Sequence, residues 1–198
     1  MSTVPSAAFE HWSTVGMARL DELERVHADA TGAGRGRRWG TEQLNRSLFV
    51  VLVAQFQRYC RDLHNESIAV HVAHANPRQA GMLRTLLERG RRLDVQTPRV
   101  STLGSDFGRL GLLLVDSLKA DGPAAERALH RLDVLVDFRN AVGHGNETEV
   151  STLVAAGQIR ATKQSYRGYR RTLQELASSM DRVVADDLAS VLEVSPPW

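Results

Sequence analysis

Apolar residues recur with a helical period along nearly the whole chain, and no stretch alternates convincingly with period two. Stripes of that period are buried by packing helix on helix, so the sequence predicts an all-α fold. At 198 residues the chain can bury about 70% of the surface it exposes when unfolded, which supports a core without a metal or cross-link. Its one cysteine, Cys60, can form no internal bridge, which fits a reducing compartment. The longest apolar run, Leu48 to Ala54, spans seven residues, against the roughly 20 needed to cross a bilayer. The opening Met1-Ser2-Thr3-Val4-Pro5 has neither a basic start nor an apolar signal segment. A cytoplasmic protein without membrane contact is expected.

The pattern places a first amphipathic helix over about Ser6 to Asp29, then a loop at Thr31 to Arg38 with three glycines and three arginines. A long helix follows from near Thr41 to about His74, with Leu44, Leu48, Val51, Leu52, Gln55, Phe56 and Tyr59 on one stripe. Asn76-Pro77 opens a short helix that Gly90 stops. Little regular signal lies between Arg91 and Ser105. Further helices are expected at about Asp106 to Lys119, from Pro123 toward Gly143 or Gly145, after Asn146, and over about Thr162 to Leu192. The result is an irregular bundle of six or seven helices in a single domain, 1–198 with its core at about 8–192, because no Gly/Ser/Pro-rich linker divides it.

Net charge is only +2, yet arginine supplies all but Lys119 and Lys163 of the 25 basic residues. A compositional bias toward arginine explains this as readily as phosphate recognition by its planar, permanently charged fork does.

The segment from Leu132 to Asn146 carries the most chemistry. At 100° per residue Leu132, Leu135, Val136 and Val142 form an apolar arc, and Arg139 falls near its middle. A guanidinium on the apolar side needs an anionic partner, a cavity or a subunit interface. An internal ion pair with Asp106, Asp116 or Glu175 is one such solution. Asn140 and His144, at i and i+4, share another face with Asp133 and Asp137. Glycines flank His144, so the helix is expected to fray there, leaving the imidazole free and the backbone open to a ligand. A plain helix-terminal cap is the alternative role for His144, and Asn146 reads as the N-cap of the next helix.

Arg139-Asn140-x-x-x-His144, with Phe138 before the arginine and Gly145 after the histidine, resembles the signature of the HEPN superfamily, an all-α group rich in metal-independent RNases. Leu44 to Tyr59 is similar to the long second helix of its RiboL-PSP branch, which often carries an acidic residue where this chain has Gln57. The resemblance implies an endoribonuclease, a toxin or defence effector, in which the RNA 2′-hydroxyl attacks the adjacent phosphorus and leaves a 2′,3′-cyclic phosphate and a free 5′-hydroxyl. It implies His144 as general acid or base, a contribution of about 10²–10⁴-fold. Arg139 would stabilise the phosphate's growing charge, and Asn140 would orient His144 or a phosphate oxygen. It also implies a homodimer paired through the motif helix, with no metal or cofactor. The alternative from the same resemblance is a non-catalytic module that grips RNA or a partner protein, such as an antitoxin-like or scaffold subunit.

Other clusters carry less. His64, His71 and His74 align on a continuous helix without a further ligand in place, and read as partly exposed helix residues rather than a metal site. The Arg35 to Arg38 segment reads as a solvated loop that could reach RNA phosphates. Arg167, Arg170 and Arg171 interleave with Tyr166 and Tyr169, either as a stacking surface or, by default, as core tyrosines beside a charged face. No phosphate-cradling glycine loop and no Gly-x-Ser-x-Gly elbow is present, and Cys60 has no activating context.

Overall fold

Ser6 opens the first helical rod as an N-cap, its hydroxyl oxygen accepting the Phe9 N–H at 3.0 Å. The computed structural model describes residues 4–31 and 38–198, and every regular element among them is helical. The rod consists of α1 (Ala7–His11), a π-helical turn (Trp12–Gly16) and α2 (Met17–Thr31). The long helix α3 (Arg38–Ala73) begins three residues earlier than its expected start at Thr41 and is about 54 Å long at 1.5 Å per residue. The arginine-glycine segment Arg35 to Arg38 lies outside the described residues, apart from the backbone of Arg38 that opens α3.

α3 buries Leu48, Leu52, Phe56, Tyr59 and Leu63 along one stripe, as its periodicity requires. α3, α7 (Pro123–Gly143) and α9 (Lys163–Leu192) pack against one another. The Phe49 ring is the hinge of that packing, lying edge-on to Phe138 at 5.3 Å, Tyr166 at 5.8 Å and Tyr169 at 6.0 Å. The rod is fastened by Trp12 against Phe56, and the Tyr59 hydroxyl donates to the Ala177 carbonyl at 2.8 Å. Tyr166 and Tyr169 are therefore core residues.

The segment between α3 and α7 departs most from expectation. After a turn in which the Asn76 side chain accepts the Arg78 N–H, α4 (Ala80–Glu88) starts three residues beyond Pro77, and Gly90 ends it at φ +75°. A 3₁₀ turn (Arg92–Asp94), α5 (Val100–Gly108) and α6 (Leu114–Ala120) occupy a stretch in which one helix from Asp106 to Lys119 was expected. The reason is non-local: the buried Asp106 carboxylate accepts the N–H groups of Arg92 at 2.9 Å and Leu93 at 2.7 Å, so it staples α5 to the 3₁₀ turn rather than opening a helix. The chain then breaks at Gly111, where φ is +76°. Gln57 serves the same staple, its amide donating to the Leu93 and Gln96 carbonyls at 3.1 and 2.9 Å. A carboxylate at that position has no hydrogen to donate.

Pro123 sits in the first turn of α7 and α9 starts where the sequence predicts, with Thr162 capping it by accepting the Ser165 N–H at 3.1 Å. Between them lies α8 (Glu147–Ala155). No helix among the described residues is long and apolar enough to cross a membrane.

Candidate functional site

The last turns of α7 are pinned to α3 through Phe138, whose ring meets Phe49, and Ala141 is buried as well. On that anchored end Arg139 and Asn140 are half-buried and His144 is exposed. The helix closes rather than frays, contrary to expectation. Gly145 adopts φ +65°, its N–H bonds the Val142 carbonyl at 3.2 Å, and the Asn146 N–H reaches back to the Ala141 carbonyl at 2.8 Å. This is a Schellman closure, which satisfies the carbonyls that a frayed end leaves open. The His144 N–H is itself spent on the Asn140 carbonyl at 2.9 Å, so the imidazole, not the backbone, is what the loop presents. Asn146 then caps α8 as expected, accepting the Glu149 N–H at 3.1 Å while its amide donates to the Glu149 carboxylate at 3.0 Å.

Arg139 finds no counter-charge: no carboxylate among the described residues comes within ion-pair reach of it. Of the acids expected to serve, Asp116 and Glu175 make no ion pair with it, and Asp106 is occupied, as are Asp133 and Asp137 on α7 itself. Asp106 holds backbone N–H groups, Asp137 pairs with Arg99, and Asp133 accepts the Val100 N–H at 2.9 Å. The α7 acids thus anchor the start of α5, and the guanidinium is left with one bond, from Nη1 to the Asn140 side-chain oxygen at 3.1 Å. Its Nε is buried without a partner. Asn140 therefore orients Arg139 in this chain, rather than His144. A half-buried guanidinium with uncommitted donors is a ready acceptor of an anion, and phosphate fits its fork. α7 is helical through Gly143, so Arg139 and His144 stand about 140° apart around the axis and about 7.5 Å apart along it.

A residue that the sequence did not single out completes the frame. Arg46 of α3, 7% exposed, donates to Glu147 at 2.6 Å and to Glu42 at 2.7 Å. It ties the first turn of α8 to α3 immediately after the His144 loop. The Glu42 contact is readable as an i,i+4 pair, whereas the Glu147 contact spans 101 residues of sequence.

The remaining candidates separate cleanly. His64 is buried, not partly exposed: its Nε2 bonds the Asp106 carbonyl at 3.1 Å and its ring stands edge-on to Phe107. Burial pushes its pKa down, and does the same at half-buried His71. His74 is exposed, with Nδ1 on the Val70 carbonyl at 2.9 Å. No group of three or more metal-ligating side chains comes together among the described residues. Arg167 and Arg170 are neutralised by Glu24 and Asp21 of α2, which removes them as a free stacking surface. Cys60 is buried, and burial pushes its thiol far up. No family model, no curated protein and no solved structure matches this chain.

Proposed function

We propose that this protein is a metal-independent endoribonuclease of HEPN type, acting on cellular or foreign RNA as a toxin or defence effector, with Arg139, Asn140 and His144 as its catalytic residues. One observation carries the proposal. A half-buried Arg139 guanidinium without a carboxylate partner among the described residues stands five residues before an exposed imidazole, on a helix end held by a closed loop. An arginine that only stabilised the fold would be expected to find an acid, as Arg46 and Arg170 do.

In the reaction the 2′-oxygen forms a bond to phosphorus while the bond from phosphorus to the 5′-oxygen breaks. An imidazole takes the 2′-hydroxyl proton, and the 5′-oxygen is protonated as it leaves. Arg139, held by Asn140, meets the charge that grows on the phosphate oxygens. The offset of about 140° between Arg139 and His144 is relieved when two copies pair the ends of α7 across a two-fold axis, each then supplying groups to one shared cleft. That pairing also covers an arginine set on the apolar side of its helix.

The test is incubation of RNA with the purified protein in EDTA, with the product ends mapped. Wild type is expected to yield 2′,3′-cyclic phosphate and 5′-hydroxyl ends. His144→Ala and Arg139→Ala are each expected to lose at least about 100-fold in rate with unchanged circular dichroism. Cleavage persisting in both variants overturns the assignment. The same 140° offset favours a second reading, a non-catalytic module that grips RNA or a partner protein such as an antitoxin. In that case RNA binding persists and no cyclic-phosphate product forms.

A further inference from the structure

A second basic site lies along the same helix. His130 and Arg131 stand on α7 about 12 Å along its axis from Arg139. With the connection between α8 and α9 and the first turn of α9 they line a groove of about 460 Å³, within the range that accommodates a nucleotide-sized ligand, roughly 300–1,000 Å³. Arg160 and Ser165 face it from the other side, and no carboxylate lines it.

The groove is built rather than incidental. Tyr169 is buried, and its hydroxyl donates to the Gln158 carbonyl at 3.1 Å, which fixes the connection that carries Arg160. The same ring lies under the Arg131 guanidinium, whose central carbon is 4.5 Å from the ring centroid. That contact places the guanidinium over the ring without consuming its charge. Several arginines at helix contacts find acids: Arg46 pairs with Glu147, Arg99 with Asp137, Arg170 with Asp21 and Arg182 with Asp121. Arg131 and Arg160 pair with no carboxylate among the described residues. Two cations converging on a concave site with a histidine beside them and no internal anion leave a place for an external one.

We propose that this groove is a phosphoryl-anion site that holds an internucleotide phosphate of the RNA strand, away from the His144 loop. The strand assignment rests on the RNA reading above. The phosphoryl chemistry does not, and a free nucleotide would offer the same group.

The experiment uses a 12-residue 2′-O-methyl oligoribonucleotide, which lacks the attacking hydroxyl and so reports binding alone. Adenosine monophosphate and inorganic phosphate are titrated in parallel. Wild type, Arg131→Gln, Arg160→Gln and the double variant are compared by fluorescence anisotropy at several salt concentrations. Each single variant is expected to weaken oligonucleotide binding about fivefold and to lower the salt slope by about 0.7, the value for one single-strand phosphate contact. The double variant should lose about 25-fold. Arg160 is exposed, so its variant tests the groove without disturbing the Tyr169 stack. Adenosine monophosphate binding as tightly as the oligonucleotide, with the same dependence on both arginines, supports the phosphoryl site and overturns the strand as its source. Unchanged binding of all three probes in folded variants overturns the site itself. Absence of RNA cleavage by the wild-type protein, together with oligonucleotide binding that depends on both groove arginines, overturns the nuclease reading alone, and intact cleavage of RNA with no groove dependence overturns this proposal alone.

Discussion

Gly145 shows how one residue serves both the fold and the candidate site. Its φ of +65° is what lets Asn146 turn back onto the Ala141 carbonyl and so positions His144 at the end of α7. A Cβ added there meets nothing within 4 Å, so Gly145→Ala carries a backbone cost alone, about 1–2 kcal/mol. That corresponds to a fall in Tm of about 2–8 °C for a chain of this size, read by thermal denaturation. Gly143, helical and equally open, is the control: Gly143→Ala is expected to stabilise by about 0.5–1 kcal/mol. A neutral Gly145→Ala would show that the closure does not set the position of His144. Arg139, Asn140 and His144 were all legible as a motif, because the pattern lies within six consecutive residues. That Asn140 bonds Arg139 rather than His144 was not legible, since it depends on rotamers that spacing does not specify.

At the scale of elements, the junction of α7, α8 and α3 hangs on Arg46. Its side chain is nearly buried while Glu147 is mostly exposed, so the pair sits between the surface and interior cases. Arg46→Ala is expected to cost about 1–3 kcal/mol, through the lost ion pairs and the packing of the arginine stem. Denaturant unfolding measures it. Glu147→Gln keeps an acceptor in place and should cost less than about 1 kcal/mol. If Arg46→Ala unfolds at the wild-type midpoint, the junction is held by Phe138 and Val150 alone. Helix starts were readable at Ser6, Asn146 and Thr162, where a local cap holds the first turn, but not at Asn76, whose side chain closes a turn ahead of α4. They were misread between Arg91 and Lys119, where Asp106 bonds backbone groups 13 and 14 residues away. A periodicity window does not reach that far.

Across the whole molecule, His64 couples the core to pH. Burial lowers its pKa in the folded protein below the ordinary value of 6.5, so the unfolded chain binds the proton more readily. Stability is full above about pH 6.5 and is lost as pH falls through the folded-state value. Glu66 and Asp181 act with the opposite sign, because burial raises both, and their contribution is present at low pH and lost as pH rises through their folded values. His64→Gln keeps a donor toward the Asp106 carbonyl and removes the titration. Between pH 7 and pH 5 the variant should lose less unfolding free energy than wild type. Parallel losses in both proteins would show that His64 does not titrate in this range. By itself the sequence determined the all-α class, the buried stripe of α3, the caps and the Arg139 to His144 motif, because each rests on neighbours within a turn or two of helix. Only the tertiary structure decided which charges find partners. It gave Arg46 two acids, gave Arg139 and the Arg131 groove none, and dried His64, because counter-charge and desolvation depend on residues that are distant in sequence and adjacent only once the helices pack.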